Sequence, residues 1–183
     1  MDSLRIGDDI ILRWPSLDDL AAVFRLVDSN REHLARWLPF VEITLSPEDE
    51  RPWVAGQLAA RESGASTPPL IMHRDVLVGT ISAMHLDPLD RAGEIGYWLA
   101  EEAQGKGIVT RACRTLLDYA FNDRGMHRIQ VRAATDNARS RAIPERLGFT
   151  YEGIQRQAEY AGGRFHDLAV YSMLAHEWKG RGR

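Results

Sequence analysis

The clearest hydrophobic pattern along the chain lies between residues 108 and 122. Its apolar side chains recur every three or four positions, at Val109, Ala112, Cys113, Leu116, Leu117, Ala120 and Phe121. The positions that fall on the other face of such a helix are polar: Arg111, Arg114, Asp118 and Asn122. This spacing predicts an amphipathic α-helix that buries one face against the rest of the protein.

Other segments add further helices and strands. Capping residues and apolar periodicity predict helices over 16–27 and 46–61, and a shorter helix from Asp136–Asn137 to a C-terminal Gly148. We expect Pro144 near the first turns of this shorter helix, where its missing N–H costs least. Apolar runs predict strands over 9–13, 70–73, 76–86, 94–99, 128–135, 150–160 and 167–175. This order indicates one α/β domain over residues 1–183.

A glycine-rich loop precedes the central predicted helix. Strand 94–99 is followed within a few residues by Gly105 and Gly107, which leave the backbone accessible to a ligand. The first N–H groups of the helix have no partner inside it, and they carry the positive end of the helix dipole. The pattern is therefore either a tight turn or a main-chain site for a phosphate or pyrophosphate.

The composition and net charge of the chain exclude several kinds of function. The 183 residues carry a formal net charge of -3, so there is no basic surplus for nucleic-acid binding. The single cysteine, Cys113, excludes a disulfide framework and a cysteine-rich zinc site, and its place on the apolar stripe indicates a core residue. The six histidines form no His-Glu-x-x-His pattern, and we expect no metal site. We identify no signal peptide and no membrane-spanning run, and therefore expect a cytoplasmic protein.

Two motifs resemble those of the GNAT acetyltransferase superfamily. The segment Gln104–Val109 is similar to its acyl-CoA loop, Gln/Arg-x-x-Gly-x-Gly/Ala, with Val109 in place of the last Gly/Ala. Valine keeps the backbone N–H that would hold a phosphate. The segment Asn137–Ser140, followed by Glu145–Phe149, is similar to the second motif, Asn-x-x-Ser…Glu-Lys/Arg-x-Gly-Phe. The order of predicted elements matches the superfamily over essentially the whole chain.

Several further segments resemble the RimJ/RimL branch, the ribosomal-protein N-terminal acetyltransferases. These segments are Glu94–Leu99, His33–Pro39, Ser46–Asp49, and Glu159-Tyr160 ahead of His166-Asp167. The resemblance implies a mixed, mostly antiparallel central sheet of about six to seven strands flanked by about four helices. It also implies two splayed strands around the acyl-CoA site, and a homodimer.

The resemblance assigns a set of residues to acetyl-CoA binding. Backbone groups of the loop and the strand before it would hold the pyrophosphate and the pantetheine arm, and the Asn137 amide would reach the arm. Asn137 is equally suited to cap the helix that follows it, and the two roles are compatible. The full set is Trp98, Leu99, Ala100, Gln104, Gly105, Lys106, Gly107, Ile108, Val109, Thr110 and Asn137.

The chemistry implied is transfer of an acetyl group from acetyl-CoA to a primary amine. A base must deprotonate the ammonium, and Glu102 matches the base position of the branch. Glu94 and Glu101 are rival bases, and a mechanism without a single essential base stays open. Ser140 matches the proposed acid of the branch and would donate to the leaving thiolate; a tyrosine does this elsewhere in the superfamily, and Tyr151, Tyr160 and Tyr171 are the alternatives. An N–H near Leu99 or Ala100 is the natural donor for the oxyanion.

The acceptor would lie between an aromatic connection and the last strands. The predicted lining is His33, Trp37, Leu38, Phe40 and Tyr160, although aromatic residues in such loops are equally suited to close a core. The resemblance favours the N-terminal α-amine of a protein or peptide as acceptor. Alternatives are a small amine (an antibiotic, a polyamine or an amino-acid derivative), another donor such as succinyl-CoA, or an acyl-CoA-binding module without turnover.

Overall fold

The computed structural model describes residues 3–179, so residues 1, 2 and 180–183 of the predicted domain lie outside it. One sheet contains eight strands in the order β1-β2-β3-β4-β5-β6-β8-β7. The strands are β1 (Ser3–Ile6), β2 (Ile10–Arg13), β3 (Leu70–His73), β4 (Val76–Asp87), β5 (Ala92–Leu99), β6 (Arg128–Ala134), β7 (Thr150–Ala161) and β8 (Arg164–Leu174). All neighbouring pairs are antiparallel except β5 and β6, which are parallel.

Six α-helices lie among the described residues: α1 (Leu20–Ser29), α2 (Arg31–Leu34), α3 (Arg51–Ser63), α4 (Ile108–Asp118), α5 (Ala138–Leu147) and α6 (Ala175–Lys179). The sheet therefore has one strand more than the upper predicted number, and there are two more helices than predicted. The additional elements β1, α2 and α6 have four or five residues each. Such segments are too short to display a hydrophobic period.

The predicted central helix is α4, and it packs on one face of the sheet. Its apolar stripe joins the main hydrophobic core together with β-strand residues such as Ile81, Ile95 and Ile129. Cys113 is 1% exposed within this core, and burial raises the pKa of its thiol. A second, smaller cluster of Val27, Leu34 and Val41 packs on Trp98 of β5. Because side chains alternate along a strand, the second cluster lies on the opposite face of β5 from Ile95.

Local signals account for the ends of several helices. Asp49 accepts hydrogen bonds from the backbone N–H groups of Leu45 and Ser46 at 2.9 and 2.8 Å, ahead of α3. Asn137 caps α5, and Gly148 ends it in the left-handed conformation, as the sequence predicts. The expected place of Pro144 is wrong, since it is the seventh of the ten residues of α5 rather than part of the first turns. The helix accommodates Pro144 because the carbonyl of Ser140, which loses its helical partner, accepts a hydrogen bond from the hydroxyl of Tyr97 instead.

No helix among residues 3–179 is long and apolar enough to cross a membrane. Within the same residues, no group of three or more histidine, cysteine or acidic side chains is placed to hold a metal ion.

Candidate active site

The parallel strands β5 and β6 pair along only part of their length. The registered pairs are Ala92–Arg128, Gly93–Ile129 and Glu94–Gln130. Beyond them β5 continues on β4 as far as Leu99, and β6 continues on β8 as far as Ala134. Residues 95–99 and 131–134 therefore border an opening in the sheet, called the cleft from here on. Along these two segments, the backbone groups that point away from β4 and from β8 face the cleft rather than a neighbouring strand.

The glycine loop lies at the end of β5 that borders the cleft. Gly105 and Gly107 have φ angles of 74° and 71°, the left-handed region that favours glycine. A Cβ atom on either residue would meet nothing within 4 Å, so the backbone conformation, and not crowding, requires glycine. The space over the loop is open, which suits an approaching ligand.

The N-terminus of α4 offers unused donors. The first helical bond is donated by the backbone N–H of Arg111 to the carbonyl of Gly107 at 3.0 Å. The N–H groups of Ile108, Val109 and Thr110 therefore have no acceptor within the helix. Three such donors at the positive end of a helix dipole fit the chemistry of a diphosphate.

Helix α5 places two arginines against this loop. The Nη1 atom of Arg139 donates to Gln104 Oε1 at 2.9 Å, and Nη1 of Arg146 donates to Thr110 Oγ1 at 3.0 Å. Both guanidinium groups stand beside the open N-terminus of α4, so both are placed to meet an anion bound there. Neither arginine stood out from the sequence as a site residue. The available signal was their seven-residue spacing, which places both on one face of a helix.

Gln104 joins elements on both sides of the cleft. Besides its bond to Arg139, its Nε2 atom lies 2.7 Å from Nε2 of His33. The same atom is 3.4 Å from the carbonyl oxygen of Leu99. Gln104 therefore links α2, the end of β5 and α5 through one side chain.

The strand pairing of β5 distinguishes the two candidate oxyanion donors, the N–H groups of Leu99 and Ala100. The N–H of Ala100 is bonded to the carbonyl of Val78 on β4 at 2.9 Å. Because successive N–H groups of a strand point in opposite directions, the N–H of Leu99 faces the cleft. The ring of Trp98 packs 6.4 Å from that of Phe40, measured between centroids, in the second cluster. The ring of Trp98 is therefore part of the second cluster, and by the same alternation its N–H faces β4, as that of Ala100 does.

Ser140 lies in the first turn of α5, and both of its backbone polar groups are bound. Its N–H donates to Asn137 Oδ1 at 3.1 Å. Its carbonyl accepts from the hydroxyl of Tyr97 on β5 at 2.9 Å. Asn137 thus performs the capping role, and Tyr97 connects β5 with α5 across the cleft.

The three predicted carboxylates have different surroundings. Glu94 is 8% exposed, and its carboxylate accepts from Arg132 Nε at 3.0 Å and Gln130 Nε2 at 3.0 Å. Glu101 and Glu102 are exposed on a short 3₁₀ turn directly after β5. The buried carboxylate of Glu94 is therefore held by the more exposed Arg132, whereas Glu102 is free to meet a ligand at the end of the strand.

A fourth carboxylate, Glu159, joins this group. It pairs across the strands with His166 and lies close enough to Arg132 and Glu94 for electrostatic interaction. Burial raises the pKa of Glu159, and the neighbouring charges of Arg132 and His166 partly offset this. In the sequence, Glu159 stands out only through the family resemblance. Its proximity to Glu94 depends on the order of β5, β6, β8 and β7, which no local pattern reveals.

The predicted acceptor residues fall into separate places. The ring of Trp37 packs on His166 with 5.6 Å between centroids, next to Glu159. Leu38 and Phe40 pack against the second cluster. Tyr160 pairs with Phe165, and the two rings are 5.0 Å apart. His33 therefore lies beside Gln104 and Trp37 beside His166, while Tyr160 lies on the other face of β7 from Glu159.

Comparison with known proteins identifies the family. A model of the acetyltransferase (GNAT) domain matches residues 9–150. The chain belongs to the GNAT acetyltransferase family. It is 36% identical to the Bacillus subtilis protein YdaF, whose name assigns it provisionally to the ribosomal N-acetyltransferases, across 98% of this chain and 99% of the relative.

Two further relatives belong to the RimJ/RimL branch. A ribosomal-protein-serine acetyltransferase of Escherichia coli is 27% identical, covering 94% of this chain and 97% of the relative. The solved structure of RimL, a ribosomal L7/L12 α-N-protein acetyltransferase in complex with coenzyme A, superposes with a TM-score of 0.90 at 28% identity. That match covers 96% of this chain and 99% of RimL. The chain is therefore an acetyltransferase that resembles the RimJ/RimL branch, as the sequence motifs predict.

Proposed function

We propose that this enzyme transfers the acetyl group of acetyl-CoA to the N-terminal α-amine of a ribosomal protein. The observation that carries the proposal is the separation of β5 from β6 beside the open N-terminus of α4. A diphosphate at α4 and an extended arm between the two strands would deliver a thioester to the end of β5. The names of the relatives in the ribosomal branch support the choice of acceptor.

The cofactor would be held mainly by main-chain donors. The N–H groups from Gly105 to Thr110 would surround the diphosphate, with Lys106 as a nearby cation. The N–H of Gln104 already donates to the carbonyl of Glu101 at 3.1 Å, so Gln104 would take part through its side chain. The strand segment Trp98–Ala100 and the side chain of Asn137 would border the pantetheine arm. Acetyl-CoA supplies an acyl group that is already activated as a thioester, so the protein must bind, orient and manage protons.

The side chains around the cleft divide the remaining tasks. Glu102, exposed after β5, is the proposed base that takes a proton from the ammonium group. Glu159 is a second candidate, because a raised pKa and a half-buried position suit proton abstraction near neutral pH. Glu94 is a weaker candidate than either, since Arg132 and Gln130 already occupy its oxygens.

Two donors would stabilise the charges that form during transfer. The N–H of Leu99 faces the cleft and would bind the oxyanion of the tetrahedral intermediate. The Ser140 hydroxyl would donate a hydrogen bond to the leaving thiolate. It needs no lowered pKa for that role, because stabilising a thiolate requires only a donor at the correct distance.

The acceptor would approach from the side of His33 and Trp37. We propose these residues, with Leu38, Phe40 and Tyr160, as the walls that a polypeptide chain contacts. We also propose that the enzyme acts in the cytoplasm, where ribosomal proteins are made, and that it forms a homodimer. The edge strand β7 supports dimer formation, because a twelve-residue exposed edge invites pairing or coverage.

A substrate panel tests the proposal. The protein is incubated with acetyl-CoA and with peptides that match ribosomal N-termini, the same peptides with a blocked α-amine, and small amines such as polyamines. We expect free thiol release and a mass increase of one acetyl group only with the unblocked peptides. Turnover confined to small amines would contradict the proposed acceptor, and no turnover with any amine would favour a binding module.

A further inference from the structure

Proline inside α5 leaves one backbone carbonyl without its helical donor. In a regular α-helix the carbonyl of Ser140 accepts from the N–H four residues later, but that residue is Pro144, which has none. The carbonyl instead accepts from the hydroxyl of Tyr97 at 2.9 Å. Tyr97 is 43 residues away in the sequence and belongs to a different element, β5.

The environment of Tyr97 keeps its hydroxyl protonated and therefore able to donate to the carbonyl. The side chain packs against the main hydrophobic core. Burial raises the pKa of Tyr97 far above its ordinary value, so the phenol stays protonated and acts as the donor. An unpaired Ser140 carbonyl at this partly buried place would lose part of its hydration without gaining a partner.

The bond lies where the sheet itself makes no connection. Backbone pairing between β5 and β6 ends at Glu94–Gln130, three residues before Tyr97. Above that point, α5 follows β6 on one side of the cleft and Tyr97 stands on the other. The Tyr97 hydroxyl therefore joins β5 directly to the first turn of α5 at a level where no strand pair does so, and it adds to the link through Gln104 and Arg139.

We infer that Tyr97 is a positioning residue, which replaces the missing N–H of Pro144 and thereby holds the Ser140 hydroxyl at the thioester end of the cleft. The inference rests on the proposed function for the role of Ser140. Asn137 fixes the N–H of Ser140 and Tyr97 fixes its carbonyl, so both ends of this residue are held by side chains. The Oγ atom then has little freedom apart from its own rotamer.

A double-mutant cycle tests the inference, using the parent, Tyr97→Phe, Pro144→Ala and the double variant. Tyr97→Phe removes only the donor, and we expect kcat to fall by about tenfold while KM for acetyl-CoA changes less than about twofold. Pro144→Ala supplies an N–H four residues after Ser140. In that background we expect Tyr97→Phe to cost less than about threefold in kcat, which is a rescue that simple loss of stability does not produce.

Tyr171→Phe is the matched control. Its hydroxyl donates to Glu145 Oε1 at 2.7 Å, so it also joins the sheet to α5, but through side chains only. Its effect should be the same with Pro144 and with alanine at that position. Equal losses from Tyr97→Phe in both backgrounds, or no loss in either, would overturn the inference.

Denaturant unfolding of the same four proteins gives a readout that needs no substrate. We expect the effects of the Tyr97 and Pro144 substitutions on the free energy of unfolding to be non-additive, and additivity would overturn the inference.

The kcat of Ser140→Ala, measured alongside, separates the positioning role of Tyr97 from the proposed function. If it lowers kcat while the Tyr97–Pro144 cycle is additive, the proposed function stands and the positioning role fails. If the parent releases no thiol with any amine, the proposed function fails, and the unfolding cycle still decides whether the hydrogen bond replaces the proline N–H.

Discussion

At the scale of single residues, the carboxylates near the cleft illustrate how surroundings select a role. We expect Glu102→Gln to lower kcat by roughly 10²–10⁴ if it is the base, since glutamine keeps the size and removes the basic oxygen. The affinity for acetyl-CoA, measured by calorimetry, should stay near the parent value. Glu62→Gln, on the exposed side of α3, controls for the loss of one negative charge. Near-parent kcat in Glu102→Gln together with a large loss in Glu159→Gln would move the base to Glu159.

The pH dependence of the rate separates these two bases. A base works in its deprotonated form, so activity rises as pH passes its pKa. Because burial raises the pKa of Glu159, a base at that position places the acidic limb above the ordinary range for glutamate. The test is a pH–rate profile at saturating substrate for the parent and for Glu159→Gln. Loss of that limb in the variant supports Glu159, and an unchanged limb excludes it.

Glu50 is a buried carboxyl whose protonation we expect to change the stability of the fold rather than the rate of catalysis. It is 5% exposed, its Oε1 atom has no hydrogen-bond partner among the described residues, and burial raises its pKa. Because the folded-state pKa is raised, the folded protein is relatively more stable below the unfolded pKa, and this stability is lost as pH rises through the folded pKa and the buried carboxyl becomes charged. We therefore expect Glu50→Gln to stabilise the protein by about 1 kcal/mol at pH 7, with a smaller gain at pH 4. Urea unfolding at both pH values measures this, and an equal gain at both would contradict it.

At the scale of elements, the junction of β5, the glycine loop and α4 depends on backbone conformation. Gly107 has a φ of 71° directly before α4, and a β-branched residue there is strained by about 1–2 kcal/mol. Gly107→Val should move the N–H groups of the first turn and weaken acetyl-CoA binding by at least about tenfold. Gly125→Val is the matched control, because Gly125 also has a positive φ and open space around it but lies beyond the other end of α4. Calorimetry on both folded variants decides the case, and equal affinities would mean that the loop is only a turn.

At the scale of the whole molecule, the last two strands present an apolar surface on the face shared with α4. Tyr151, Ile154, Tyr160 and Phe165 are each about half exposed or more, and strand pairing places them on one face. We expect light scattering at micromolar concentration to show a dimer. Phe165→Glu should shift it towards the monomer, whereas Leu89→Glu, on the turn between β4 and β5, should not. A monomeric parent would contradict the dimer and leave the catalytic proposals unaffected.

Local patterns in the sequence were enough to predict most elements of this protein. The apolar period of α4, the Asn137 and Gly148 caps of α5 and the two glycines before α4 are properties of consecutive residues. Together with the two motifs they indicated the family and predicted the position of an anion site, which stays a prediction. Short elements such as α2 were missed because four residues cannot show a period.

Only the tertiary structure decided which side chains act together. Arg132 binds Glu94 from 38 residues away, and Tyr97 reaches Ser140 across the cleft. Both contacts depend on strand order and on the point at which β5 and β6 separate, and neither is encoded in a local pattern. Sequence reasoning could name Ser140 as a donor, but the fold determined what holds it: a proline removed one hydrogen bond, and a tyrosine of another strand supplied its replacement.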